Sequence, residues 1–162
     1  MIAALDSVPV STAEGPKAIV WDRTIGDVLR QTALQFSNHA ALISRHQNLR
    51  YTWGEVLHEA ERIAAGLFAL GLNPGDRVGV WSTNCAEWVL LQYACALGGL
   101  VLVNVNPAYR SHELQFVLRR SRIRVLFLHA RDQRADYRQI LQESIRVLFL
   151  HARDQRADYR QI

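Results

Sequence analysis

The sequence predicts an α/β fold: a partial, open, mostly parallel sheet flanked by helices. Three observations carry this. Residues 76–109 read as strand, helix, strand, the unit that crosses over right-handed into a parallel sheet. From Thr52 onward, helical and extended patterns alternate as α, β, α, β, α, β, α. The helices also open on recognisable caps and close on glycine or turn residues.

Residues 1–23 form an irregular lead-in, with Pro9, Ser11, Gly15 and Pro16. Thr24 caps a first helix, with Asp27 at its third position. Ile25, Val28, Leu29, Ala33 and Phe36 recur on it at helical spacing. Ala40–Ser44 and Leu49–Tyr51 are short strands around a turn at Arg45-His46-Gln47-Asn48.

Thr52 and Glu55 make a capping box for the next helix, whose stripe is Val56, Ala60, Ile63, Ala64, Leu67 and Leu70. Gly71 follows as its C-terminal cap. Asn73-Pro74-Gly75-Asp76 is a turn: proline pre-sets φ and glycine accepts the positive φ after it.

That turn delivers the chain to a strand at Arg77–Trp81. Asn84, with Glu87 three residues on, is the expected cap for a helix over Ala86–Leu97. This helix is apolar over most of its circumference, so it should be largely buried. Gly98 and Gly99 stop it. Leu100–Val103 is a continuous apolar run, as in a strand covered on both faces. Asn106-Pro107 ends that strand. A helix from Ser111 to about Arg120 buries Leu114, Val117 and Leu118. A strand over Ile123–Leu128 and a polar helix over Arg131–Leu141, anchored by Tyr137, Ile140 and Leu141, complete the alternation.

The chain has 162 residues, 49% of them hydrophobic, and a formal charge of +4. That suits one domain or a piece of a larger one. Lys17 is the only lysine, and the arginines are interleaved with acidic and apolar positions. A solvated basic face is expected, with no nucleic acid as partner. Cys85 and Cys95 lie ten positions apart on one predicted helix. That is about 15 Å of rise, too far for a disulfide. Free, buried thiols in a reducing compartment are expected. The start has neither the apolar core of a secretory signal nor the Arg-rich pattern of a transit peptide. The longest nearly uncharged apolar run, Trp88–Val103, is too short and too broken for a transmembrane segment. The expected location is cytoplasmic.

Motifs that carry chemistry are few. No metal-ligand spacing of Cys or His occurs. Gly66 and Gly71 mimic the glycine spacing of a phosphate loop. Leu72-Asn73 stand where Lys-Ser/Thr is required, and no strand precedes them, so this is a helix C-terminus. Ser44/His46 and Ser111/His112 are neighbours in sequence, which does not place a base on a nucleophile. Glu55, Glu59 and Glu87 read as caps or solvated charges. Trp53, Trp81 and Trp88 read as core or boundary aromatics.

One set of segments is more specific. These are Leu49-Arg-Tyr-Thr-Trp-Gly-Glu-Val56, Ala64-Ala-Gly-Leu67, Gly71-Leu-Asn-Pro-Gly-Asp-Arg-Val-Gly-Val80, Asn84-Cys-Ala-Glu-Trp-Val89 and Val103-Asn-Val-Asn-Pro-Ala-Tyr-Arg110. In order and spacing they resemble the N-terminal region of AMP-forming acyl-CoA synthetases, members of the adenylate-forming, AMP-binding superfamily. The Asn-Pro-Ala-Tyr segment is most similar to the medium- and long-chain fatty-acyl branch. The resemblance runs from about Thr24 to Ser144, so residues 24–144 are expected to be the N-terminal part of such a domain.

The resemblance implies a fatty acid–CoA ligase: ATP, fatty acid and CoA give acyl-CoA, AMP and pyrophosphate, with Mg2+ at the phosphates. In that family the working groups come from a Ser/Thr/Gly-rich loop ending in Pro-Lys, a later Thr-Glu segment, an Asp for the ribose and a lysine on a mobile C-terminal domain. None has a counterpart here. Pro16-Lys17 lies upstream of the similar region and lacks the preceding loop, so that role is not carried to Lys17. No catalytic, cofactor-binding or metal residue is therefore assigned. The expectation is the opening part of a longer enzyme, inactive alone and open to pairing with a C-terminal remainder. A non-catalytic interaction module and the remnant of an interrupted gene are the alternatives.

Residues 145–162 repeat residues 123–140 without one change. Solenoid repeats recur at least three times and drift in sequence; a single perfect copy does neither. A recent duplication or an assembly error explains it better than an array. The copy adds the potential for one more strand and one more short helix, and an apolar strand left unpaired invites aggregation.

Overall fold

The computed structural model describes residue 15, residues 21–133 and residues 135–145. Most of the lead-in, and the second copy beyond Ile145, lie outside the described residues.

The described chain runs α1 (Ile25–Phe36), β1 (Ala40–Ser44), a 3-10 turn (Arg45–Gln47), β2 (Leu49–Thr52), α2 (Trp53–Ala69), β3 (Arg77–Trp81), α3 (Ala86–Leu97), β4 (Val101–Val105), α4 (Ser111–Ser121) and β5 (Val125–Leu128). Residues 137–145 are helical. β1 and β2 form an antiparallel hairpin, with Asn48 in the left-handed region at φ 53°. β3, β4 and β5 form a parallel sheet in the order β4-β3-β5. The α/β class with a parallel sheet flanked by helices is as the sequence predicts.

The predicted caps on α1 and α2 both form. Asp27 N–H donates to Thr24 Oγ1 at 3.1 Å, and Thr52 N–H donates to Glu55 Oε2 at 2.7 Å. The predicted stripe on α1 is rotated, however. Leu29 and Ala33 are buried, while Ile25, Val28 and Phe36 face outward, because α1 meets α2 and α3 through Gly26 and the Leu29 side. On α2, Leu70 likewise falls past the buried stripe and is exposed.

The turn before β3 closes as expected. Asn73 N–H donates to Asp76 Oδ2 at 2.7 Å, and Gly75 takes φ 88°. Arg124 then reaches Asp76 Oδ2 at 2.5 Å, tying the entry of β5 to that of β3. The hydrogen bond from Asn73, then Arg124, holds the Asp76 carboxyl below its ordinary pKa.

β3 is buried on both faces. Val78 and Val80 pack with Leu67, Leu72, Leu91 and Cys95 of the α2/α3 layer. Trp81 packs with Val105, Leu114 and Tyr137 on the α4 side.

Three expectations need correction. The cap of α3 is not Asn84: the N-cap is Cys85, with no side-chain bond of its own. The strand after α3 is not covered on both faces. β4 is an edge of the three-stranded sheet, and Val101 is 46% exposed. The last helix does not start at Arg131. Arg131 and Asp136 instead form an isolated antiparallel bridge, and Arg131 Nε donates to Asp136 Oδ2 at 3.0 Å. Asp136 Oδ1 then accepts from Gln139 N–H at 3.2 Å and caps the helix that follows.

Candidate functional site

The connection β3-α3-β4 steps to one side of β3 and β4-α4-β5 crosses back to its other side, so strand order reverses between β3 and β5. In open α/β sheets, ligands bind outside the carboxyl ends of the strands at such a switch point. A crevice of about 410 Å³ lies there. Ser82 follows β3 directly and His129 follows β5 directly, so both stand at its mouth. His129 N–H donates to Trp81 C=O at 3.2 Å, continuing the sheet ladder to that rim. The apolar wall comes from Val80, Ile63 of α2, Trp88 and Leu91 of α3, and Phe127 and Leu128 of β5.

The polar rim is organised by Gln47, from the turn of the β1–β2 hairpin. Its Oε1 accepts from Ala86 N–H at 2.7 Å, satisfying one of the free donors that open α3. Its Nε2 donates to Glu87 Oε2 at 2.8 Å. Ser44 Oγ donates to Gln47 Oε1 at 2.7 Å and fixes which way the amide faces. The hydrogen bond from Gln47, first among several, holds the Glu87 carboxyl below its ordinary pKa. At the floor of the rim, Ser82 is buried and donates to Thr83 C=O at 2.7 Å. Cys85 Sγ lies 3.6 Å from Ser82 Oγ. Cys85 and Cys95 are both free thiols, and burial pushes the Cys95 thiol up to about 11.

This arrangement suits an apolar body with a few polar contacts at one end. It does not fit Mg·ATP. Its wall, among the described residues, offers no lysine or arginine to a triphosphate. Among the described residues no group of three or more His, Cys, Asp or Glu could hold a metal ion.

The two Ser/His neighbours noted in the sequence do not form nucleophile–base pairs. Ser44 Oγ gives its hydrogen to Gln47 and lies 3.4 Å from His46 Nδ1, and Ser111 Oγ donates to Glu143 Oε2 at 2.9 Å. Sequence reasoning passed over Gln47, Ser82 and His129. A signal for the last two exists: each is the first residue past a strand that ends at the switch point.

The sheet and its crossovers define an open α/β domain, with a parallel sheet flanked by helices. The chain belongs to the AMP-binding enzyme family, whose model matches residues 29–159. It is 44% identical over 99 residues to the mitochondrial medium-chain acyl-CoA ligase of Rattus norvegicus, covering 61% of this chain and 16% of that protein. It is 37% identical over 121 residues to the Macaca fascicularis counterpart, covering 75% and 20%. The chain thus spans a fifth or less of the length of these relatives. Among solved structures, the N-terminal domain of FACL13 from Mycobacterium tuberculosis superposes with TM-score 0.64 at 32% identity, covering 65% of this chain and 27% of that one. A structure assigned as a long-chain-fatty-acid CoA ligase from Rhodopseudomonas palustris gives 0.69 at 34% identity, covering 78% and 30%. Among the described residues no helix is long and apolar enough to cross a membrane.

Proposed function

We propose that this chain is the scaffold portion of an AMP-forming fatty acid–CoA ligase of the medium- or long-chain branch, and that the 162-residue chain alone does not catalyse the reaction. In that reaction the fatty carboxylate attacks the α-phosphate of ATP, giving acyl-adenylate and releasing pyrophosphate. The CoA thiol then attacks the acyl carbon, giving acyl-CoA and releasing AMP. Both steps build charge on phosphate and carbonyl oxygens, which donors or cations must stabilise.

The observation that carries the proposal is the character of the switch-point crevice. It is apolar, with Glu87 at its rim held below its ordinary pKa and, among the described residues, no lysine or arginine in its wall. That chemistry accommodates an acyl chain or further protein and repels a triphosphate, so the ATP-binding groups would come from outside these residues. ATP–pyrophosphate exchange, measured with fatty acids of six to eighteen carbons, tests it. The expected result is no exchange above background. A fatty-acid-dependent signal from the purified 162-residue chain overturns it.

A second reading is that the chain pairs with a separately made C-terminal remainder. The exposed Phe127 on edge strand β5 favours it. Co-expression with the remainder of a related ligase should then restore exchange. The proposed location is cytoplasmic, and the mitochondrial names of the relatives supply the rival. Fractionation of cells expressing a tagged chain separates the two.

A further inference from the structure

We infer that the place of β5 beside β3 is a docking site with two interchangeable occupants, and that residues 145–162 of the same chain can fill it in place of residues 123–140. The two stretches are identical in sequence. Every contact that the site makes with the first is therefore open to the second. Along β3, Val78 to Trp81 pair in parallel register with Val125 to Leu128. Gly79 leaves the hollow that Leu126 fills: a Cβ at Gly79 would stand 2.7 Å from Leu126 Cδ1. Beyond the strand, Tyr137 meets Trp81 edge-on at 4.8 Å, and its hydroxyl donates to Asp132 Oδ2 at 2.8 Å. In the second copy Leu148, Tyr159 and Asp154 stand at the corresponding positions.

The exchange is topologically simple. Either occupant would enter the sheet from the end of α4 at Arg122; with the second in place, residues 123–144 would loop out from that same end. Enlarging a loop costs little beyond closing it. The two stretches are held unequally by their flanks. Ser144 Oγ donates to Ser111 C=O at 3.1 Å and Ser111 Oγ donates to Glu143 Oε2 at 2.9 Å. Glu143 and Ser144 follow the first copy and fasten it to α4, so residues 123–140 are the favoured occupant. Exchange within the chain prevails over exchange between chains at micromolar protein, because a tether of this length holds the second copy near the site at an effective concentration of order millimolar.

The test compares three variants of the full chain by thermal melting, near-ultraviolet circular dichroism of the Trp81–tyrosine pair, and size exclusion. Leu126→Asp blocks the first copy, Leu148→Asp the second, and the double variant both. Expected results are parental behaviour for Leu148→Asp and a lower but cooperative melt, with the aromatic signal kept, for monomeric Leu126→Asp. The double variant should lose both the cooperative melt and the signal. Leu126→Asp behaving like the double variant overturns the inference, as does its recovery only as a dimer. A chain lacking residues 123–144 supplies an independent check: it must melt cooperatively with the aromatic signal intact, and failure to do so also overturns it.

Discussion

The two faces of β3 are built differently. On one, Val78 and Val80 lie against an aliphatic layer from α2 and α3, namely Leu67, Leu72, Leu91 and Cys95. On the other, Gly79 and Trp81 lie against Leu114 of α4 and against Tyr137, which a polar turn holds in place. The first face is held by shape and area. The second depends on polar bonds at set points: Trp81 Nε1 donates to Asn106 C=O at 3.0 Å, and Tyr137 donates to Asp132. Buried apolar area is non-directional and tolerates repacking. A buried indole or phenol needs its partner in place.

The largest expected effect separates the faces directly. Trp81 is fully buried, so Trp81→Ala should destabilise by about 3–5 kcal/mol, and Leu91→Ala by about 2–4 kcal/mol. Urea melts give the totals, and hydrogen exchange gives the pattern. Trp81→Ala should release protection in the 137–145 helix before the rest of the domain, whereas Leu91→Ala should lower protection throughout. Equal patterns would erase the distinction.

Gly79→Ala probes the same contrast from the backbone. Its Cβ would stand 2.7 Å from Leu126 Cδ1 and 2.9 Å from Ile123 Cδ1, both on the α4 side. These are side-chain ends, so they can shift, and the cost should be about 1–3 kcal/mol. Pairing it with Leu126→Ala should relieve most of the strain, a coupling that a double-mutant cycle reads.

Patterns set by neighbouring residues were legible and contacts between distant ones were not, for a physical reason. Helical spacing named Val56, Ala60, Ala64 and Leu67 on α2, and the capping boxes at Thr24 and Thr52 announced their own helices, because both signals act over three or four residues. The cap of α3 comes from Gln47, across 39 residues, so no local pattern could reveal it, and Asn84 was the natural wrong choice. The bridge between Arg131 and Asp136 was missed likewise. Arg and Asp five apart are compatible with a helix until Asp132 and Asp136 are seen closing it. The crevice fared worst, since Ser82 and His129 meet only once strand order is known.

Gln47→Ala should cost about 1–2 kcal/mol, in the range of a lost helix cap. It should also raise the Glu87 pKa toward the ordinary glutamate value, since Gln47 is the first cause of its depression. A depressed carboxyl stabilises the fold above its unfolded pKa, and that contribution is lost as pH falls through the folded value. The variant should therefore lose less stability than the parent on acidification. Carboxyl NMR titration of Glu87, with melts from pH 7 down to pH 3, checks both parts. An unchanged Glu87 titration would break the link between hairpin and helix.

The smallest effect belongs to the aliphatic face, through Cys95. Burial raises its pKa from 9.0 to about 11, so the folded protein holds that proton where the unfolded chain releases it. The sign follows from linkage: the contribution is whole below the unfolded pKa and is lost as pH rises through the folded one. Stability should decline over this alkaline window, and Cys95→Ala should flatten that part of the decline while lowering stability at neutral pH through the cavity it leaves. Cys85 is half-buried at the rim of the crevice, and in native protein it should react with iodoacetamide first. Peptide mass spectrometry over time distinguishes the two sites. Equal labelling rates would mean that the α2/α3 layer opens as readily as the rim of the crevice.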